Sequence, residues 1–352
     1  MQSKPYITIL YLAIAAIIFI FGQFPVWVEN YYSNLIYPFI ATLQRSISGL
    51  FPFAIGDVLY VLLVILVLRA LVIFIIKKKK TKAVYQRFGL TLLNFCLIIY
   101  ISFKILWGLN YNRPAINQQL QISDQHYQKE ELLKLNTFML NKLKTLSTPR
   151  SERATTKYTL LQLSEKASTA YADLAKENVF FTYKNQSFKS VLNNWAISKV
   201  GIEGYYNPLS GEANVNTSLP SFVLPFTVCH EIAHQLGVAK EDEANLVGYL
   251  AAIKSKDPQF QYSAYYNMLR YVLFEIRMKY PEDYNRVILE VPESIKQDFK
   301  SEREFWAKYN GPMSEYMSKT FDQILKLNNQ EKGIDSYQDI VLWLYNYHKK
   351  EL

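Results

Sequence analysis

The sequence predicts three membrane-spanning helices followed by a mainly α-helical, α+β domain with a small sheet. Three observations carry this. Apolar runs at 6–24, 55–76 and 88–107 each approach the roughly 20 residues that a helix needs to cross a bilayer core. Charge is segregated: residues 1–107 hold 10 of the 39 Lys and Arg but 2 of the 30 Asp and Glu, while the remainder is nearly balanced. Beyond residue 110, helical-period segments flank one stretch, 178–217, with the texture of short strands among Gly and Pro turns. The expected organisation is a membrane domain over 1–110 and a water-exposed domain over 111–352.

The first run is read as a span and not a cleaved signal, because bulky Gln23-Phe24-Pro25-Val26-Trp27 follows it in place of small residues. Arg69 and Lys104 lie within or near span ends, where snorkelling accounts for them. The loop 77–87 carries Lys77, Lys78, Lys79, Lys80, Lys82 and Arg87, whereas 25–54 carries Arg45 alone as a basic residue. The positive-inside rule puts 77–87 in the cytoplasm, 25–54 outside, and everything after Trp107 outside. The bilayer is thus the first expected partner. The net charge of +9 belongs almost wholly to the membrane part, so a nucleic-acid partner is not expected.

In the second domain, 127–146 and 152–177 read as helices split by Ser147-Thr148-Pro149, with Tyr158, Leu161 and Tyr171 as an apolar stripe. Strands are expected at 179–183, 196–198 and 213–216. Helices follow at 240–255, 258–280, 282–290, 292–309, 313–328 and 335–349. Cys96 falls in the third span and Cys229 in the second domain, so no disulfide is expected.

The chemistry concentrates at His230-Glu231-Ile232-Ala233-His234. The chain has four His, and two of them stand at this spacing around a Glu. On a helix, residues four apart share a face, so both imidazoles can reach one Zn²⁺. Glu231, beside them, can act as general base toward a water on the metal. Phe226, Val228, Cys229, Ile232, Ala233 and Leu236 supply the buried side of that helix, and Gly237 offers a left-handed stop. Cys229 projects about 100° from His230 and is expected in the core. A third ligand is needed, and Lys240-Glu241-Asp242-Glu243-Ala244-Asn245 opens the next helix. Glu241 is the candidate ligand, with Glu243 as the alternative. Asn245, four residues from Glu241, is the candidate partner of a ligating imidazole. Tyr205, Tyr206, Tyr265, Tyr266 and Arg270 are candidates to stabilise an oxyanion.

This pattern resembles the gluzincin metallopeptidases, in which H-E-x-x-H is followed on a second helix by E-x-x-A-(D/N). The resemblance implies Glu241 as the glutamate ligand and Asn245 as the residue behind it. Here only six residues separate His234 from Glu241, a shorter gap than in most gluzincins. The wider chain is similar to an uncharacterised bacterial family of zincin-like integral membrane proteins, through its three spans, Trp107-Gly108-Leu109-Asn110-Tyr111 and Gly204-Tyr205-Tyr206-Asn207-Pro208. That likeness implies a bacterial cytoplasmic (inner) membrane location, with the second domain zincin-like and outside. In zincins a sheet strand pairs with an extended peptide, and 212–216 is the candidate for that edge.

Two functions are expected to compete. One is a zinc-dependent peptidase acting on extracytoplasmic peptides or proteins. The other is a zinc-holding structural or sensory membrane protein. Glu231 separates them, because metal binding alone does not need it.

Overall fold

The computed structural model describes residues 5–76, 81–146, 157–328 and 337–352. Lys77–Lys80, the Ser147-Thr148-Pro149 break and the start of the expected 152–177 helix lie outside the described residues. The chain is mostly helical with one small mixed sheet. Two helices are long and apolar enough to cross a membrane, Ile55–Ile76 and Lys82–Leu106. A third candidate is bent: Tyr6–Phe21 and Pro25–Ser48 meet at 98°. We label the helices of this region α1 (Pro5–Gly22), α2 (Tyr37–Ser48), α3 (Ile55–Ile76) and α4 (Lys82–Leu106).

The expected outer loop 25–54 is largely helical. Pro25–Trp27 makes a turn, Val28–Ile36 is π-helical, and α2 follows. Pro38 lacks an N–H, so the ordinary i→i+4 ladder is interrupted there, and the Tyr37 amide bonds to the Tyr32 carbonyl one residue further back. That five-residue step keeps Val28, Tyr32, Tyr37, Ala41, Arg45 and Ser48 on one buried face.

The start of α3 is stitched to the second domain. The amides of Ile55 and Gly56 donate to the Glu212 carboxylate, at 3.1 and 2.7 Å, which answers the positive end of the helix. Asp57 accepts from the Leu192 amide at 2.9 Å and from the Tyr205 hydroxyl.

Beyond two short helices, Ile116–Gln119 and Asn194–Lys199, the helices that follow are α5 (Lys129–Leu146), α6 (Leu160–Ala175), α7 (Leu224–Gln235), α8 (Glu241–Lys254), α9 (Pro258–Lys279), α10 (Pro281–Val287), α11 (Glu293–Ala307), α12 (Pro312–Leu327) and α13 (Tyr337–His348). The expected segments after 240 match α8–α13 to within a few residues at each end. Helix α6 begins at a Thr159/Gln162 capping box, which sets its register. Its buried stripe is Leu163, Ala167, Ala170, Tyr171 and Leu174, and Leu161, expected in that stripe, faces solvent.

Of the expected strands, 213–216 forms within one residue and the other two do not. Val179–Phe181 is a 3₁₀ turn under an Asn178 cap, and 196–198 lies inside a short helix, Asn194–Lys199, capped by Asn193. Strands form at β1 (Phe188–Ser190), β2 (Gly204–Asn207) and β3 (Glu212–Val215), in the order β1-β3-β2. β3 pairs parallel to β1 and antiparallel to β2. The expected edge 212–216 is therefore the centre of the sheet. It reads as an edge in sequence because its residues are largely polar, but Glu212, Asn214 and Asn216 are all fully buried. The sheet packs on one side of α7, and α8 packs on another. Helix α8 in turn contacts α6, α9 and α13, so the core surrounds the α7–α8 pair.

Candidate metal centre

Helix α7 begins without a capping side chain of its own. Pro225 sits in its first turn, where no amide is required, and Ser263 of α9 accepts from the Phe226 amide at 3.0 Å. The helix ends as the sequence predicts. Gly237 adopts φ +86°, its amide bonds to the His234 carbonyl at 3.0 Å, and the Val238 amide reaches the Ala233 carbonyl at 3.1 Å. This turn brings the Val238 carbonyl to His234, whose Nδ1–H donates to it at 2.7 Å. A carbonyl only accepts, so the bond keeps a proton on Nδ1, and in the neutral ring it is Nε2 that carries the lone pair a metal would take.

The last carbonyls of α7 are satisfied by the N-terminal part of the chain. His234 O accepts from Trp107 Nε1 at 3.0 Å and from the Tyr37 hydroxyl at 3.3 Å. Gln235 O accepts from the Tyr37 hydroxyl and Arg45 Nη1, each at 3.0 Å, and Gly237 O from Arg113 Nη1 at 3.1 Å. Two guanidinium groups thus stand at the negative end of the helix. Trp107 and Tyr206 meet with ring centroids 5.1 Å apart, which joins the two aromatic stretches singled out in the sequence.

Helix α8 returns beside α7, with its first residue, Glu241, at the imidazoles. The two helices approach closely because Gly248 lacks a side chain: a Cβ there would stand 2.9 Å from the backbone N and Cα of His230. Nε2 of His230 lies 3.1 Å from Nε2 of His234 and 3.3 Å from Glu241 Oε2, and His234 Nε2 lies 3.7 Å from Glu241 Oε1. Glu243 points elsewhere, pairing with Lys240 Nζ at 3.3 Å. The structure thus brings His230, His234 and Glu241 together and leaves Glu243 apart. Asn245 lies beside the His230 ring and donates to the Tyr271 hydroxyl at 3.4 Å.

The electrostatics suit a cation. Burial would push the Glu241 carboxyl up, but the His234 and His230 rings outweigh it and hold it well below the usual carboxylate range. Burial would push His234 down, but Glu241 raises it to about 9. His230 is pushed down, mainly by burial. Ligands 2.0–2.1 Å from a tetrahedral ion stand roughly 3.4 Å apart, close to the separations here. His230 Nδ1 and Glu231 Oε2 are buried with no hydrogen-bond partner among the described residues. The donor set and its geometry therefore fit one Zn²⁺ held by three protein atoms. Cys229 is not in the cluster, and burial pushes its thiol well up.

Glu231 lies outside the three-residue cluster and is 3% exposed. Burial pushes its carboxyl up to about 8. Its room comes from β2: a Cβ on Gly204 would stand 2.7 Å from Glu231 Oε1 and 2.8 Å from the Asn214 carbonyl of the paired strand. The backbone atom cannot step aside, so Gly204→Ala is expected to lower stability by about 1–3 kcal/mol, as overpacking does. Thermal unfolding checks this against Gly89→Ala, where a Cβ within a helix meets nothing within 4 Å and no loss of stability is expected.

The five candidate oxyanion partners are engaged elsewhere. Tyr205 donates to Asp57, and the hydroxyls of Tyr206 and Tyr37 lie 3.5 Å apart. Tyr265 packs edge-on to Tyr249 in the core. Tyr266 donates to Glu302 at 2.5 Å, and Arg270 pairs with Glu302 at 2.7 Å. Two tyrosines that sequence reasoning passed over are within electrostatic reach of Glu241. Burial raises the hydroxyls of Tyr111 and Tyr271, and in both the charge of Glu241 adds to that rise. Tyr271 lies on the helix next to Arg270, so only the register of α9 could have singled it out.

A family model described as "Protein of unknown function (DUF3810)" matches residues 32–345. The chain belongs to this family. No curated protein and no solved structure matches it. In this DUF3810 chain the matched region runs from Tyr32, on the segment that caps α7, through the His230–His234–Glu241 cluster and on into α13.

Proposed function

We propose that this protein is a membrane-anchored zinc metallopeptidase with a zincin-like second domain. The observation that carries the reading is the division of labour at α7. His230, His234 and Glu241 converge on one point, while Glu231 stands next to them, buried, outside the ligand set and with one carboxylate oxygen unpartnered. A structural metal site needs only the first three.

His230, His234 and Glu241 would hold the ion, with Val238 O fixing the His234 ring. Bound Zn²⁺ would supply Lewis acidity toward a carbonyl and lower the pKa of a water to about 7. Glu231 would take the proton of that water and pass it to the leaving amine. Gly204 leaves the space in which that carboxylate stands. Tyr271 and Tyr111, whose hydroxyls feel the charge of Glu241, would be the candidates to steady developing charge. β2, the end strand of the sheet and the one against Glu231, offers the backbone an extended peptide would pair with.

Helices α1, α3 and α4 would be spans of a multi-pass protein of a bacterial cytoplasmic membrane, with the metal centre outside. The basic residues of 77–87 support that orientation. A reporter active only outside the cytoplasm is expected to work when fused after Leu352 and to fail when fused near Lys80. The reverse pattern would place the centre inside and remove extracytoplasmic peptides as substrates.

A further inference from the structure

Between Gly22 and Gly49 the chain is not an open loop and does not continue the first apolar helix. It turns by 98° and runs as helix from Pro25 to Ser48. We propose that Pro25–Ser48 lies flat in the headgroup layer of the bilayer, with one face in lipid and the other under the metal helix. The inference rests on α1 and α3 being spans.

If they are, Gly22 and Ile55 sit at the same side of the bilayer, because one helix leads into the segment and the other leaves it. A helix perpendicular to α1 and joined to its end then runs parallel to the membrane surface. Its outward face has the chemistry of that layer. Trp27, Tyr31, Leu35, Phe39, Leu43 and Ile47 recur every four residues, all exposed, with Phe39 72% exposed. Contiguous bare rows of this kind are rare on surfaces that face water. Trp and Tyr prefer the bilayer interface, where ring and polar tip are both satisfied.

Residues 25–48 hold two charges, Glu29 and Arg45, and neither belongs to the outward row. Glu29 pairs with Arg113 at 2.8 Å, and Arg45 reaches Gln235 O and the carbonyls of Lys184 and Asn185. The outward row therefore carries no charge and needs no water. A headgroup-embedded helix of this kind sinks about 5–10 Å into the acyl boundary.

A second amphipathic helix reaches the same level. α12 exposes Met313, Tyr316, Ile324 and Leu327 along one stripe, and Asn328, just after it, accepts from Lys104 Nζ near the end of α4 at 3.3 Å. Both helices would press on one surface. Helix α7, held by Tyr37 and Arg45 from the inner face of α2, would then stand about one helix diameter, ~10 Å, from the lipid.

The test uses the full chain in phosphatidylcholine–phosphatidylglycerol nanodiscs, in a Cys96→Ser background. Single nitroxides are attached through Tyr31→Cys, Leu35→Cys, Phe39→Cys and Leu43→Cys, and through Val61→Cys, Leu66→Cys and Ile73→Cys on α3. Relaxation by oxygen and by a water-soluble nickel chelate reports depth. The four labels of the segment are expected at one shallow depth, while those on α3 sweep through the bilayer. A depth that changes steadily from 31 to 43 would mean a re-entrant or broken span and would overturn the proposal. Full nickel access at all four would mean a face in water, and spin–spin broadening with loss of oxygen access would mean a second copy covers it; either result overturns it as well. Water access along α3 would instead show that the spans themselves are wrong, a failure visible separately from that of the segment.

Discussion

Glu231→Gln is expected to keep the fold and the metal while losing roughly 10²–10⁴-fold in peptide hydrolysis, the range that a positioned general base contributes. The substitution keeps the shape and burial of the side chain. It removes the oxygen that can take a proton and leaves His230, His234 and Glu241 in place. Gln also fits the pocket that Gly204 opens, so no new clash arises. The measurement is single-turnover cleavage of a library of extended peptides, with metal content read on the same sample. Equal residual cleavage by variant and wild type would assign the activity to a contaminating protease. A wild-type protein that holds zinc and cleaves nothing would favour the structural or sensory reading.

His230→Ala and His234→Ala are each expected to abolish stoichiometric zinc. The site has three protein ligands, and losing one imidazole leaves a pair that a buried, partly preformed pocket cannot compensate. The effect has a second readout. A ligand that binds only the folded state stabilises it by RT ln(1 + [L]/Kd), about 2.7 kcal/mol at a hundredfold excess over Kd. Added zinc should therefore raise the unfolding temperature of wild type and not of either variant. Glu241→Ala should behave like the His variants, because its carboxylate faces both rings at 3.3 and 3.7 Å. Glu243→Ala should keep the zinc response and lose stability through its pair with Lys240 and the bond it accepts from the Ile116 backbone. The opposite ranking of the two carboxylates would move the third ligand by two residues.

These experiments call for the full chain. Tyr37, Arg45 and Trp107 cap the carbonyls at the end of α7, so a protein cut at residue 111 would expose the helix end that carries His234.

The sequence made the long helices legible because each carries its own punctuation. Pro258, Pro281 and Pro312 open α9, α10 and α12, and Gly237 closes α7. The segment 25–48 was not legible as a helix. Its buried face takes a five-residue step from Tyr32 to Tyr37, which breaks a 3.6-residue template, and its apolar row faces outward while Ser33, Arg45 and Ser48 face inward, the reverse of a helix that faces water. Strand β3 was legible at 213–216, but β1 and β2 were missed for a different reason. β1 and β2 are three and four residues long, too short for period-2 alternation to register. Val179–Phe181, with stronger strand propensity, was drawn into a turn by the Asn178 cap.

At the candidate site the local part could be read and the non-local part could not. The spacing of His230 and His234 needs only one helix. The residue pattern favoured Glu241 with Glu243 as the alternative, and what separates them in space is the return of α8, which Gly248 and the turn at Gly237 set together. Tyr111 and Tyr271 come from segments far apart in the chain, and nothing in their local sequence marks them as neighbours of Glu241.

The most direct test of the central claim is X-ray absorption at the zinc edge, on the full-length protein purified without added metal. The account predicts about one zinc per chain, a shell of nitrogen and oxygen at about 2.0–2.2 Å with two imidazole signatures, and no sulfur. Absence of stoichiometric zinc, or a Zn–S shell at about 2.3 Å that would bring Cys229 into the centre, would contradict it.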